Sequence, residues 1–90
     1  MSYLWNQTEV NKKAKQGEVI TATFTYFGKK AFKRITSSCD CVSISTKSNH
    51  ITAKWQTKKK PSSYTSTKYI RIIFDDDSIE ELTINAELEK

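Results

Sequence analysis

The sequence predicts an all-β fold, an antiparallel β-sandwich of about seven strands. Three observations carry this. Apolar residues recur with period two along most of the chain, and no window shows the stripe of an amphipathic helix. Those windows are rich in Thr, Ile, Val and aromatic residues, which pack well on a pleated surface. Turn-forming residues separate them at intervals of roughly 8–12 residues, the spacing of a sandwich.

The elements follow in order. Residues 4–10 are expected to form an N-terminal edge strand. Residues 18–26 place Ile20, Ala22, Phe24 and Tyr26 on one face, with Gly17 and Gly28 as flanking turn signals. In residues 30–36 the inward candidates Phe32 and Ile35 differ in parity, so a bulge is expected between them. Residues 42–45 form a short strand. Residues 49–56 align Ile51, Ala53 and Trp55, and residues 57–66 read as a polar loop. Residues 68–74 turn Ile70, Ile72 and Phe74 inward and Tyr69, Arg71 and Ile73 outward. Asp75, Asp76, Asp77 and Ser78 make a turn. Residues 80–88 then align Leu82, Ile84, Ala86 and Leu88.

A chain of 90 residues is expected to form one domain, spanning 1–90. Its composition, 37% hydrophobic and 28% charged, suits a folded chain rather than a disordered one. No stretch approaches the roughly 20 apolar residues of a membrane-spanning helix. The first residues lack the basic and apolar pattern of a secretory signal, which places the expected location in the cytoplasm or a virion. In a reducing compartment Cys39 and Cys41 are expected as free thiols, because a Cys-x-Cys disulfide closes a very small ring. The net charge of +5 is unevenly spread: residues 1–74 hold 14 basic and 3 acidic side chains, and residues 75–90 hold 1 basic and 7 acidic.

The pattern resembles the short immunoglobulin-like domains of the ASH and major-sperm-protein type, nearest a bacterial family of unknown function marked by Ser-Cys-Gly-Cys-Thr. Gly17-Glu18 matches that family's entry into a strand, and Phe24-Thr25-Tyr26-Phe27-Gly28 its Phe-x-Phe-x-Asn-x-Gly. Residues 35–42, with Ser38-Cys39-Asp40-Cys41-Val42, match the cysteine segment. Residues 51–55, 69–74 and 82–88 match the later strands, so the resemblance covers about residues 15–88. Asp40 stands where the family has Gly and Val42 where it has Thr; Ser48-Asn49-His50 replaces its Pro-Gly turn. The resemblance implies an immunoglobulin-like sandwich, with the cysteine segment as a family marker.

Candidate chemistry is sparse. Cys39 and Cys41 with His50 are the only candidate set for a soft metal or a Cys-His nucleophile, and both need further ligands or an orienting group. Asp75, Asp76 and Asp77 lack the alternating spacing of a calcium loop. Lys29, Lys30, Lys33, Arg34, Lys58, Lys59 and Lys60 are candidates for a basic patch; with Lys dominating, they suit phosphates rather than base edges. Tyr3, Trp5, Tyr69, Arg71, Ile73, Asp75, Asp76 and Asp77 are candidates for a protein interface. The expected function is a non-enzymatic structural or interaction module without cofactor. Its expected setting is a phage particle, as a head-decoration or other virion component within a larger assembly or homo-oligomer. The alternatives are a cytoplasmic adaptor or nucleic-acid-associated basic protein, and a thiol-based metal-binding protein.

Overall fold

A computed structural model describes residues 4–90. Seven strands occupy it: β1 (Glu9–Lys15), β2 (Val19–Thr25), β3 (Phe32–Ser37), β4 (Val42–Lys47), β5 (His50–Gln56), β6 (Tyr64–Phe74) and β7 (Ile79–Glu89). They form two sheets, ordered β1-β7-β6-β3 and β2-β5-β4. All pairings are antiparallel except one: β1 runs parallel to β7, with Val10 opposite Ile84 and Ala14 opposite Leu88. The expected wholly antiparallel sandwich is corrected there, because the first strand crosses to the sheet that holds the last.

The period-two pattern supplies the core. Ile20, Ala22 and Phe24 face Ile51, Ala53 and Trp55 across neighbouring strands, and Ile70, Ile72 and Phe74 join Leu82, Ile84, Ala86 and Leu88 from the other sheet. Phe24, Ile51, Ile70, Ile72, Leu82 and Ile84 have no solvent exposure, and burying each such side chain contributes about 1.5–3 kcal/mol. One end is closed by rings: Tyr26 lies 4.9 Å from Trp5, 5.5 Å from Phe32 and 5.1 Å from Phe74.

Boundaries differ where local chemistry is hidden from a parity reading. The edge strand expected at residues 4–10 begins only at Glu9; upstream, Trp5 makes an isolated bridge to Tyr26. β6 starts at Tyr64, inside the expected polar loop, because β7 is long enough to pair with it back to Leu88. The bulge expected between Phe32 and Ile35 is present as a register shift between Phe32 and Arg34.

Gly17 holds φ +90° in the turn between β1 and β2, a left-handed conformation that favours glycine. That turn is tied to the end of β5 by Thr57. The buried Thr57 hydroxyl accepts from the Gly17 amide at 2.9 Å and donates to the Glu18 carbonyl at 2.6 Å.

Candidate functional site

The cysteine segment is the crossover from one sheet to the other. β3 ends at Ser37 and β4 begins at Val42; between them the chain turns at Asp40 and Cys41. The Val42 amide donates to the Cys39 carbonyl at 3.2 Å, closing that turn. An extended strand would hold i and i+2 about 6.6–6.8 Å apart. The turn brings the two Cα atoms to 5.1 Å, and Cys39 and Cys41 form a disulfide. The expectation of free thiols, which rested on a reducing compartment and the small size of the ring, is corrected: the turn brings the two cysteines within bonding reach. The Cys41 amide donates to Cys39 Sγ at 3.1 Å.

His50 does not join them. Val42 pairs with Trp55 at one end of β5, whereas His50 pairs with Lys47 at the other, with its Nδ1 3.0 Å from the Thr25 hydroxyl. The proposed set of Cys39, Cys41 and His50 is thus spread along the length of a strand. Among the described residues no three His, Cys, Asp or Glu side chains gather as a metal site.

The half-buried disulfide instead lines a cleft of about 210 Å³ with Trp55, Gln56, Lys58, Lys60, Tyr64, Ser66 and Lys68. The Lys68 ammonium lies 5.4 Å from the Trp55 ring centroid and that of Lys60 4.4 Å from Tyr64. Ser66 and Lys68 share the inward parity of Ile70 and Ile72. β3 pairs with β6 only as far as Ile70, so the sandwich opens beyond it. Sequence reading passed over both residues; the signal was a polar pair at inward parity, just before an apolar run.

The acidic turn and one basic group meet within the chain. Lys30 Nζ lies 2.9 Å from Asp76 Oδ2, and Lys33 Nζ 2.7 Å from Asp77 Oδ1. Hydrogen bonds from the Ser78 hydroxyl and then Lys30 hold the Asp76 carboxyl well below the usual carboxylate range. The same bond raises the Lys30 ammonium above its ordinary value. Asp75 is anchored by its amide, which donates to the Ala31 carbonyl at 3.0 Å. Lys29 and Arg34 are exposed beside this end. Lys58, Lys59 and Lys60 lie at the other end of β6, an 11-residue strand about 33 Å long. The seven basic candidates therefore make two separate groups, and two of the seven are already ion-paired.

The interface candidates divide. Tyr3 lies outside the described residues. Trp5 is corrected: only 5% exposed, it stacks at 6.2 Å on Phe32 and donates its indole N–H to Glu80 at 2.5 Å. Tyr69, Arg71 and Ile73 share the outer face of β6, where Arg71 Nη2 meets Glu81 Oε2 at 3.0 Å and Ile73 sits opposite Ile79. Tyr69 is 45% and Ile79 56% exposed. Thr36, Ser37, Ser38, Tyr69, Arg71 and Glu81 line a depression of about 210 Å³ on this face. The outer face of the other sheet is different: its rows read Thr21, Lys54, Ser43 and Thr23, Thr52, Ser45, with exposed Val19 at one end. Two exposed apolar residues were missed from sequence: Ile79 directly follows the turn of residues 75–78, and Phe27 directly precedes the turn signal Gly28.

Neither a family model nor a curated protein matches this chain. Solved structures do. A 2,6-sialyltransferase from Photobacterium sp. JT-ISH-224, solved with CMP and lactose, gives TM-score 0.57 at 8% identity, over 92% of this chain and 18% of its own. The VesB protease of Vibrio cholerae gives TM-score 0.55 at 12% identity, over 96% of this chain and 31% of its own. At such identity the likeness is one of fold, and this chain spans a minor share of either enzyme.

Proposed function

We propose that this chain is a non-enzymatic docking module that engages protein through the outer face of β3, β6 and β7, its first partner a second copy of itself. One observation carries the reading. Tyr69 and Ile79 stand exposed on a face that also holds Ile73 and the Arg71–Glu81 pair, beside a shallow depression. Tyr and Arg are the side chains that most often anchor interfaces. Both charge signs share one patch with exposed apolar residues, which makes the patch complementary to itself under a two-fold axis. The reading is of docking as such, common to a virion component and a cytoplasmic adaptor.

Topology supports an immunoglobulin-like module. Lettered in chain order, β2-β5-β4 and β3-β6-β7 correspond to the B-E-D and C-F-G strands of that fold, with the first strand moved to the second sheet. Likeness to minor portions of two larger enzymes supports the same view of a sandwich unit that occurs within varied proteins.

Amide shifts followed by NMR as concentration rises test the docking face. Residues 69–73 and 79–81 should move, while Thr21, Thr23 and Lys54 on the opposite sheet stay fixed. Shifts confined to the opposite sheet, or none at all, would refute this face.

A further inference from the structure

The geometry points to a thiol–disulfide exchange site at Cys39–Cys41, with a small anionic thiol as its reaction partner. Four features carry this, and none depends on the docking reading. The bond links residues two apart, inside a turn already closed by the Val42 amide. Such a bond shortens no long loop, so its share in holding the sandwich together is small. It is half-buried in the wall of a cleft open to solvent rather than sealed in the core. Lys58, Lys60 and Lys68 share that cleft, so it favours an anionic entrant and the thiolate that exchange creates. The two sulfurs are also unequal: among the described residues Cys39 Sγ, unlike Cys41 Sγ, accepts from a backbone donor, the Cys41 amide at 3.1 Å.

The steps balance as follows. The thiolate of a low-molecular-weight thiol attacks Cys41 Sγ. A mixed disulfide forms there as the Cys39–Cys41 bond breaks, and the electron pair goes to Cys39 Sγ. The resulting thiolate is stabilised by the Cys41 amide and the neighbouring ammoniums. A second thiol attacks the mixed disulfide and leaves as the oxidised thiol. The chain gains two electrons and two protons, and the two thiols lose them. Cys39 is the leaving and resolving sulfur, and Cys41 carries the adduct.

Reduction rates by glutathione, 2-mercaptoethanol and cysteamine test this on the full chain, with alkylation and mass spectrometry counting thiols. An oxidised peptide of residues 37–42 supplies each thiol's intrinsic reactivity. Relative to that peptide, the chain should prefer glutathione over cysteamine by about tenfold at low salt, the lower end of electrostatic steering in a charged cleft. High salt, or Lys58→Gln with Lys60→Gln and Lys68→Gln, should abolish the preference. A preference equal to the peptide's, or one insensitive to both changes, overturns the role of the cleft. A second measurement needs no exchange partner. In Cys41→Ser the remaining Cys39 should alkylate with a lower midpoint pH than Cys41 does in Cys39→Ser. Equal or reversed midpoints overturn the assignment of leaving sulfur.

Discussion

Two small residues show how much individual positions decide here. Gly28 read as a turn signal, yet its role is space. A Cβ at that position would stand 2.1 Å from the Tyr26 hydroxyl and 2.2 Å from its ring carbon, too close for either to remain. Gly28→Ala should therefore destabilise the fold by about 1–3 kcal/mol, the usual cost of overpacking. Urea denaturation checks it, and an unchanged midpoint would mean that the Tyr26 ring moves aside freely. Thr57 is the second case. Thr57→Val keeps the shape but leaves the Gly17 amide and the Glu18 carbonyl without the hydroxyl. The expected loss is about 1–3 kcal/mol, read from the same denaturation curves. Neither role was legible in the sequence: Thr57 meets residues 40 and 39 positions away, and the Tyr26 ring folds back over Gly28 two residues on. Lys68 was passed over as well, although it shares the inward parity of Ile70 and Ile72 and lines the open cleft.

Elements were the most legible level. Strands with strict alternation, such as β2, β5 and β7, were read with the right inward residues, because a one-residue slip would turn each apolar row to solvent. The cysteine pair was misread because ring size and compartment argued for free thiols, whereas the turn at Asp40 and Cys41 brings the two Cα atoms to 5.1 Å. The turn between β6 and β7 was legible as a turn, but its partners were not. Lys30 reaches it from the loop between β2 and β3, and Lys33 from β3. That contact has a pH signature. The depressed Asp76 carboxyl contributes stability above the ordinary carboxylate pKa near about 4, and loses it as pH falls through the lower folded value. The raised Lys30 contributes below its ordinary pKa and loses that only in strong alkali. Asp76→Asn should lower the melting temperature slightly at neutral pH, since an exposed pair is well screened. The gap between the two proteins should close as the pH is taken below about 4. A gap that stays constant down to strong acid would show that Asp76 acts through shape alone.

At the scale of the whole molecule, the charge split seen in the sequence is partly resolved within one chain. Acidic Asp76 and Asp77 cap a basic end, while Lys58, Lys59 and Lys60 remain at the other. On the outer face of β3, β6 and β7 the fold leaves exposed Tyr69 and Ile79 flanking an ion pair. The sequence showed the parity of Tyr69 and Ile73; it took the sheet order to show that Ile79 and Glu81 stand beside them. Sedimentation velocity across a concentration series tests that face most directly. The wild-type chain should pass from monomer to dimer with a dissociation constant on the order of micromolar, in the range of a weak interface. Tyr69→Asp with Ile79→Asp should remain monomeric, and Thr21→Asp on the opposite sheet should behave as wild type. A wild-type chain that stays monomeric throughout, or a dimer that survives the change at Tyr69 and Ile79, would contradict the account.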